Sequence, residues 1–159
     1  MSKKEFDYYQ ISQKLLLKNS KDEVLMLKAL PKDTYAGFYD FPGGRINTDE
    51  FTIPLPEVLQ REVREEIGDV QYTLNTAPVA VGRHLIPANI SRSGRDTHVL
   101  YLLYEGEYQS GEVTISHEHT GMKWVDLTKE DPEKLLSSGN LEVLQMYLGR
   151  WGNRVKITL

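Results

Sequence analysis

Residues 43–68 read GGRINTDEFTIPLPEVLQREVREEIG, from Gly43 to Gly68, and the second half of this stretch decides the fold. Leu59, Val63 and Ile67 recur every four residues, the spacing of an apolar stripe, and predict a helix over Glu57–Ile67. Pro56 suits the helix entrance and Gly68 the position just past its end. At about 100° of turn per residue, Glu62, Glu65 and Glu66 fall within a sector of about 100° beside the stripe. Like charges at spacings of three and four repel. Glu65 and Glu66 also occupy the last turn, where the helix dipole disfavours anions. A divalent cation among the three reverses the sign of both terms, and clustered carboxylate oxygens suit a hard ion such as Mg²⁺ or Mn²⁺. The alternative is a solvated acidic face on which Arg61 and Arg64 make ordinary ion pairs, each worth about 0.3–0.5 kcal/mol.

On either side of this helix the pattern is that of strands. Tyr8–Lys18 and Glu23–Leu30 are predicted strands joined by the polar turn Asn19–Asp22. Pro31–Asp40 reads as a loop, Arg45–Ile46 as a short strand, and Asn47–Pro56 as irregular because Pro54 and Pro56 break ladders and helices. Val79–Leu85 and His98–Tyr108 read as strands, with shorter ones at Glu112–Ile115 and Met122–Val125 and a closing helix at Asn140–Arg150. Strands before and after one central helix, plus a terminal helix, predict an α/β fold: a mixed sheet covered by helices on both faces.

With 159 residues and no repeat or linker, one domain over 1–159 is the simplest organisation. Hydrophobic residues at 40% and charged residues at 26% are the mix of an ordinary globular protein. A net charge of −4 argues against bulk binding of nucleic acid, which rewards a basic surface. The absence of cysteine excludes disulfides, thiolate nucleophiles and cysteine-bound zinc. No apolar run reaches the roughly 20 residues that span a bilayer, and Met1–Gln10 lacks the apolar centre of a signal peptide. The expectation is a cytoplasmic protein with no membrane partner.

Gly44, Glu50, Arg61-Glu62-Val63, Glu65-Glu66 and Gly68 together resemble the Nudix box, the signature of the Nudix hydrolases. Tyr39-Asp40-Phe41-Pro42-Gly43-Gly44 is similar to the lead-in of that family. There are two departures. Ten residues rather than seven separate Glu50 from Arg61, which lengthens the loop around Phe51–Pro56. Asp69 also stands where an aliphatic residue is usual, with Val70 one place later.

The resemblance implies a Nudix-like α/β/α sandwich and a Mg²⁺- or Mn²⁺-dependent hydrolase. Its substrate would be a nucleotide containing a diphosphate linkage, either a nucleoside diphosphate derivative or a nucleoside triphosphate. It also implies metal ligation by Glu62, Glu65, Glu66 and the Gly44 carbonyl, with Arg61 orienting the carboxylates. For Gly44 the alternative role is a tight turn needing positive φ; for Glu50, support of the ligands or a mere loop charge. Glu118, six residues before Trp124, resembles a family glutamate that serves as metal ligand or general base. His117 and His119 are weak evidence for zinc and favour surface or substrate contacts.

Guanidinium forks suit phosphate oxygens. Arg45 is the first candidate for that contact and Arg83 the next, followed by Arg92 and Arg95. Tyr39, with Tyr35 and Phe38, is a candidate to stack on a base. The rival class is a Nudix-fold module that binds a nucleotide without cutting it. An isopentenyl diphosphate isomerase would, by resemblance, need a cysteine, and the NADH-cleaving branch a zinc ribbon and a Pro-rich tag; neither feature is present. Pro87 points faintly to an ADP-ribose type. Relatives of this family are frequently homodimers.

Overall fold

The structure is a computed structural model that describes residues 3–149. Its elements are strands β1 (Tyr9–Lys18), β2 (Val24–Ala29) and β3 (Tyr39–Asp40), helix α1 (Leu55–Ile67), strands β4 (Gln71–Leu74), β5 (Ala80–Ile86), β6 (Thr97–Ser110) and β7 (His119–Val125), and helices α2 (Pro132–Leu135) and α3 (Ser138–Tyr147). All seven strands join one sheet, in which β1 and β6 run parallel along ten residue pairs and the remaining pairings are antiparallel. The sheet is therefore mixed, as expected.

The alternation of side chains along β1 and β2 explains why helices cover both faces. Leu15, Leu17, Leu25 and Leu27 pack with Leu59, Val63 and Ile67 of α1. Leu16, Val24 and Met26 point to the opposite face and pack with Leu135, Leu136, Val143 and Leu144. Strands buried on both faces read as continuous apolar runs, which is the pattern Leu15-Leu16-Leu17 and Val24-Leu25-Met26-Leu27 present. The predicted stripe of α1 is thus the buried one. The helix ends where Gly68 takes φ 82°, a value that a side chain would disfavour. Helix α3 lies close to the sheet through two glycines: a Cβ on Gly139 would come within 2.8 Å of the Arg83 carbonyl oxygen, and one on Gly82 within 3.0 Å of the Gly139 carbonyl oxygen.

Several local expectations are corrected. Tyr39–Asp40, read as loop, pairs with Lys28 and Leu27 of β2. Arg45–Ile46 forms no strand; it contributes one bridge, Ser12 to Arg45, and the hydrogen bond from Ile46 N–H to the Ile11 carbonyl. The stretch 47–56 contains a 3-10 turn at Thr48–Glu50, and α1 starts at Leu55, with Pro56 inside its first turn, where a missing N–H costs nothing. Strand β4 and helix α2 had no prediction. Glu112–Ile115 is not a strand, but Thr114 and Ser116 donate their N–H groups to the carbonyls of Ile67 and Glu66 and hold it beside the end of α1. Strand β7 begins at His119 rather than Met122, and α3 runs Ser138–Tyr147; Arg150, the expected last residue of that helix, lies outside the described residues. No helix among the described residues is long and apolar enough to cross a membrane.

Candidate active site

Arg61 gathers the acidic side chains. Its Nε donates to Glu50 at 2.6 Å, Nη2 to Glu62 at 2.7 Å and Nη1 to Glu65 at 3.0 Å. This fork is the geometry a guanidinium offers and an ammonium does not. The hydrogen bond to Glu50, followed by those to Glu62 and Glu65, holds the guanidinium proton more tightly than usual. Glu50 is buried and also accepts the Asn47 N–H at 2.7 Å. The Arg61 hydrogen bond and that backbone donor hold its carboxyl below the ordinary carboxylate range. The three extra residues before Arg61 therefore do not displace Glu50; the loop carries them, and Glu50 supports Arg61 from across it.

Glu66 is buried at 7% exposure, and its Oε2 accepts the Gly43 N–H at 2.7 Å. His119 lies against it, Nε2 to Oε1 at 3.2 Å, with its side chain only 6% exposed. The surface reading of His119 is thus corrected. Burial works to lower the His119 pKa, but the hydrogen bond and charge of Glu66 outweigh it and raise the value above that of a free imidazole. On Glu62, burial raises the pKa, Arg61 opposes the rise, and the charges of Glu65 and Glu66 add to it. Glu62 thus lies within reach of the charges of both Glu65 and Glu66.

The two glycines have different jobs. Gly43, not Gly44, has the positive φ, at 129°. A Cβ on Gly43 would lie 2.1 Å from the Gln13 carbonyl oxygen, whereas one on Gly44 would lie 2.2 Å from Glu62 Oε2. Gly44 is a glycine because the Glu62 carboxylate lies against it. Its carbonyl accepts the Gln13 N–H at 2.8 Å and, with a second lone pair, keeps capacity for another partner.

Hard oxygens from Glu62, Glu65, Glu66 and Gly44 are the donor set that Mg²⁺ or Mn²⁺ prefers. The Glu62 carboxylate lies against Gly44 with no side chain between them. Among the described residues, however, no group of three or more His, Cys, Asp or Glu side chains is drawn together as a metal-holding set. Glu62 and Glu65 turn to Arg61, and Glu66 turns to Gly43 and His119. Glu118 is exposed on the turn before β7, with its N–H on the Ser116 hydroxyl at 3.3 Å.

A cleft of about 150 Å³ opens beside Gly44 and Arg45 and is lined by Lys14, Tyr35, His84 and Tyr101 among others. Lys14 is buried and pairs with Asp40 at 2.8 Å. Asp40 also accepts the Phe41 N–H at 2.7 Å and the Asn140 amide at 2.9 Å. Burial disfavours the Lys14 ammonium, but the charge of Asp40 prevails, so the pKa rises. The Tyr35 and Tyr101 hydroxyls share a hydrogen bond of 2.8 Å, and His84 stacks on both rings. Burial pushes Tyr101 up to about 12 and Tyr35 higher still, and it pushes His84 down. The tyrosines remain hydroxyls and the imidazole remains neutral near pH 7. His84 Nε2 is buried without a hydrogen-bond partner among the described residues.

Of the expected substrate contacts, Arg45 and Tyr35 line this cleft, while Tyr39 and Arg83 do not. The Tyr39 ring instead carries Lys28 and Lys123, at 4.6 and 5.2 Å from its centroid. Arg83 lies on the exposed side of β5, opposite His84. Sequence reasoning passed over Lys14, His84, Tyr101 and Asn140. The available signal was the polar triplet Ser12-Gln13-Lys14 directly before the apolar run Leu15-Leu16-Leu17.

The NUDIX domain family model matches residues 9–147. The chain belongs to the Nudix family. This Nudix chain is 27% identical to the crystal structure of a MutT protein from Methanosarcina mazei Go1, at TM-score 0.65, over 94% of this chain and 96% of that one. A dihydroneopterin triphosphate pyrophosphohydrolase from E. coli matches at 16% identity and TM-score 0.63, over 91% and 99%. An ADP-ribose pyrophosphatase from Streptococcus suis 89-1591 matches at 15% and 0.59, over 96% and 97%. The last two likenesses concern the fold alone. No curated protein matches the chain. Nudix membership is consistent with hydrolysis of phosphoanhydride bonds and with use of a divalent metal.

Proposed function

We propose that this Nudix chain, acting as one domain over 1–159, is a metal-dependent pyrophosphohydrolase. It cuts the diphosphate linkage of a nucleoside diphosphate derivative or a nucleoside triphosphate. The observation that carries this reading is the Arg61 hub: one guanidinium bonded to Glu50, Glu62 and Glu65, on the helix whose Glu66 is pinned by the Gly43 N–H. A merely solvated acidic face has no need of a buried glutamate behind its arginine or of a glycine cut away to admit Glu62.

In this proposal Glu62, Glu65, Glu66 and the Gly44 carbonyl hold Mg²⁺ or Mn²⁺. When bound, such an ion neutralises phosphate oxygens and lowers the pKa of an attacking water. Arg61 orients Glu62 and Glu65, and the Gly43 N–H orients Glu66. Arg45, at the cleft mouth, meets a phosphate, while Tyr39 and Arg83 act further from the cleft. The water oxygen forms a bond to one phosphorus as the bond from that phosphorus to the bridging oxygen breaks. The bridging oxygen leaves as a phosphate oxygen with the bonding pair, and the proton of the water passes to Glu118, the proposed general base.

The test is a panel of nucleoside diphosphate derivatives and triphosphates, run with the full chain in Mg²⁺ or Mn²⁺, with products identified by mass spectrometry. Turnover that Glu66→Gln lowers at least a hundredfold, with the fold left intact, supports the proposal. Near-normal turnover in that variant removes Glu66 from the site. A second reading has its own supporting observation: Arg61 already neutralises two of the three carboxylates. That arrangement suits a module that binds a nucleotide without cutting it, and nucleotide binding with no metal-dependent hydrolysis decides in its favour.

A further inference from the structure

The end of α1 is held in a clip made by the turn before β7. The Glu66 carbonyl accepts the Ser116 N–H at 2.9 Å, the Ser116 carbonyl accepts the His119 N–H at 3.3 Å, and His119 Nε2 returns to Glu66 Oε1 at 3.2 Å. The turn thus bonds one glutamate at both its backbone and its side chain. Both ends of the clip are anchored. Thr114 N–H bonds the Ile67 carbonyl at 3.0 Å, and His119 opens β7, where it pairs with Ala29 of β2.

Arg61 takes no part in this. Its fork goes to Glu50, Glu62 and Glu65. Glu66 has two partners of its own, one on each oxygen: the Gly43 N–H on Oε2 at 2.7 Å and His119 on Oε1. The bond to Gly43 by itself is a pivot, since a carboxylate held at one oxygen can still turn about it. The second bond stops that turn. A ring nitrogen that faces a carboxylate oxygen is the donor, so Nε2 carries the hydrogen.

The other ring nitrogen shows that His119 does more than fill space. The side chains of His119 and Glu66 are both buried, and His119 Nδ1 has no hydrogen-bond partner among the described residues. A buried polar atom left bare is costly, and folded proteins keep few of them. Leucine would fill the same place without that cost. What the imidazole supplies and leucine lacks is the donor to Glu66.

We propose that His119 is a positioning residue: through Nε2 it fixes the orientation in which the Glu66 carboxylate can accept a divalent cation. This rests on the reading of Glu66 as a metal ligand and names the group outside α1 that sets that ligand.

Mn²⁺ binding to the full chain without substrate, followed by electron paramagnetic resonance, tests it. Partners of metal ligands typically matter by about 10–100-fold in affinity, so His119→Leu should raise the Mn²⁺ Kd at least about tenfold. His119→Asn, whose shorter amide does not reach Oε1, should do the same. His119→Gln, whose amide nitrogen can stand where Nε2 stands, should stay within about threefold of the unaltered chain. In a Glu66→Gln background His119→Leu should add less than about twofold, because the residue acts through Glu66. Urea unfolding checks each variant, and asparagine takes the place of leucine in the cycle if leucine does not fold. Normal Mn²⁺ affinity in the leucine and asparagine variants overturns the proposal. So does a glutamine variant as weak as leucine, or an undiminished effect of His119→Leu beside Glu66→Gln. If neither leucine nor asparagine folds, His119 is a structural residue and the proposal falls. An unaltered chain that binds no Mn²⁺, or binding indifferent to Glu66→Gln, sinks the metal reading of Glu66 together with this role. Binding weakened by Glu66→Gln yet untouched by the leucine and asparagine variants sinks the role of His119 alone.

Discussion

Alanine at Gly43 and alanine at Gly44 should have opposite signatures, although the two residues are neighbours and the change is one methyl group. At Gly43 the backbone has φ 129°, and the new Cβ would lie 2.1 Å from the carbonyl oxygen of Gln13 and 3.1 Å from the Lys14 Cα. These are backbone atoms of β1, inside its ladder with β6, so they yield only if the loop and the strand part. Backbone strain of about 1–3 kcal/mol and overpacking of about 1–3 kcal/mol together predict a loss of about 2–6 kcal/mol. That is a large share of the roughly 5–15 kcal/mol that holds a domain folded. At Gly44 the backbone is not left-handed, and the new Cβ meets only the end of the Glu62 side chain, with Oε2 at 2.2 Å and Cδ at 2.5 Å. Glu62 can swing aside, giving up an ion pair with Arg61 worth about 0.2–1 kcal/mol. Stability should fall by no more than about 1 kcal/mol. The carboxylate, however, is displaced by about an ångström or more, a shift that costs on the order of a hundredfold in rate at a reacting centre. Equilibrium urea unfolding reads the first effect. Turnover, with Mn²⁺ binding followed by electron paramagnetic resonance, reads the second. If Gly44→Ala unfolds as readily as Gly43→Ala, or keeps turnover within threefold and binds Mn²⁺ normally, the assignment of Gly44 to the Glu62 contact is wrong.

Other expectations follow from the same contacts. Lys14→Met leaves the Asp40 carboxylate with only the Phe41 N–H and the Asn140 amide; breaking a buried pair typically costs 3–5 kcal/mol, and those two donors place the loss near about 3 kcal/mol. A urea midpoint indistinguishable from the unaltered chain would refute it. The His119 pair gives a pH dependence of definite sign. Because its folded pKa is raised above 6.5, its contribution is fully present below that value and is lost as pH rises through the raised pKa. In metal-free protein, the stability difference between the unaltered chain and His119→Gln should therefore shrink from pH 6.5 upward; a difference that grows would reverse the assignment. Arg61→Lys should lower turnover at least tenfold at unchanged fold, since an ammonium cannot hold Glu50, Glu62 and Glu65 together. Full turnover in that variant would reduce Arg61 to a surface ion pair.

Helix α1 was legible from sequence because everything that makes it lies between Leu55 and Gly68. The spacing of Leu59, Val63 and Ile67 selects the buried face, Gly68 stops the helix, and the same rotation per residue places Glu62, Glu65 and Glu66 side by side. The apolar runs of β1 and β2 carried the same kind of local information. The two residues of β3 and the four of β4 did not, because strands so short exist only through the partners that β2 and β6 offer them. Pairings across the fold were beyond the sequence for the same reason. Glu66 and His119 are 53 positions apart, Asp40 and Asn140 are 100. No periodicity encodes such meetings, since a buried charge is stabilised by whichever distant segment the packed sheet brings against it. Local spacing along the chain was enough for the helix, its acidic row and the family likeness. Folding settles that Gly43 bears the strain while Gly44 admits Glu62, that Arg61 binds three carboxylates at once, and that Arg45 stands between a small polar cleft and a large open groove.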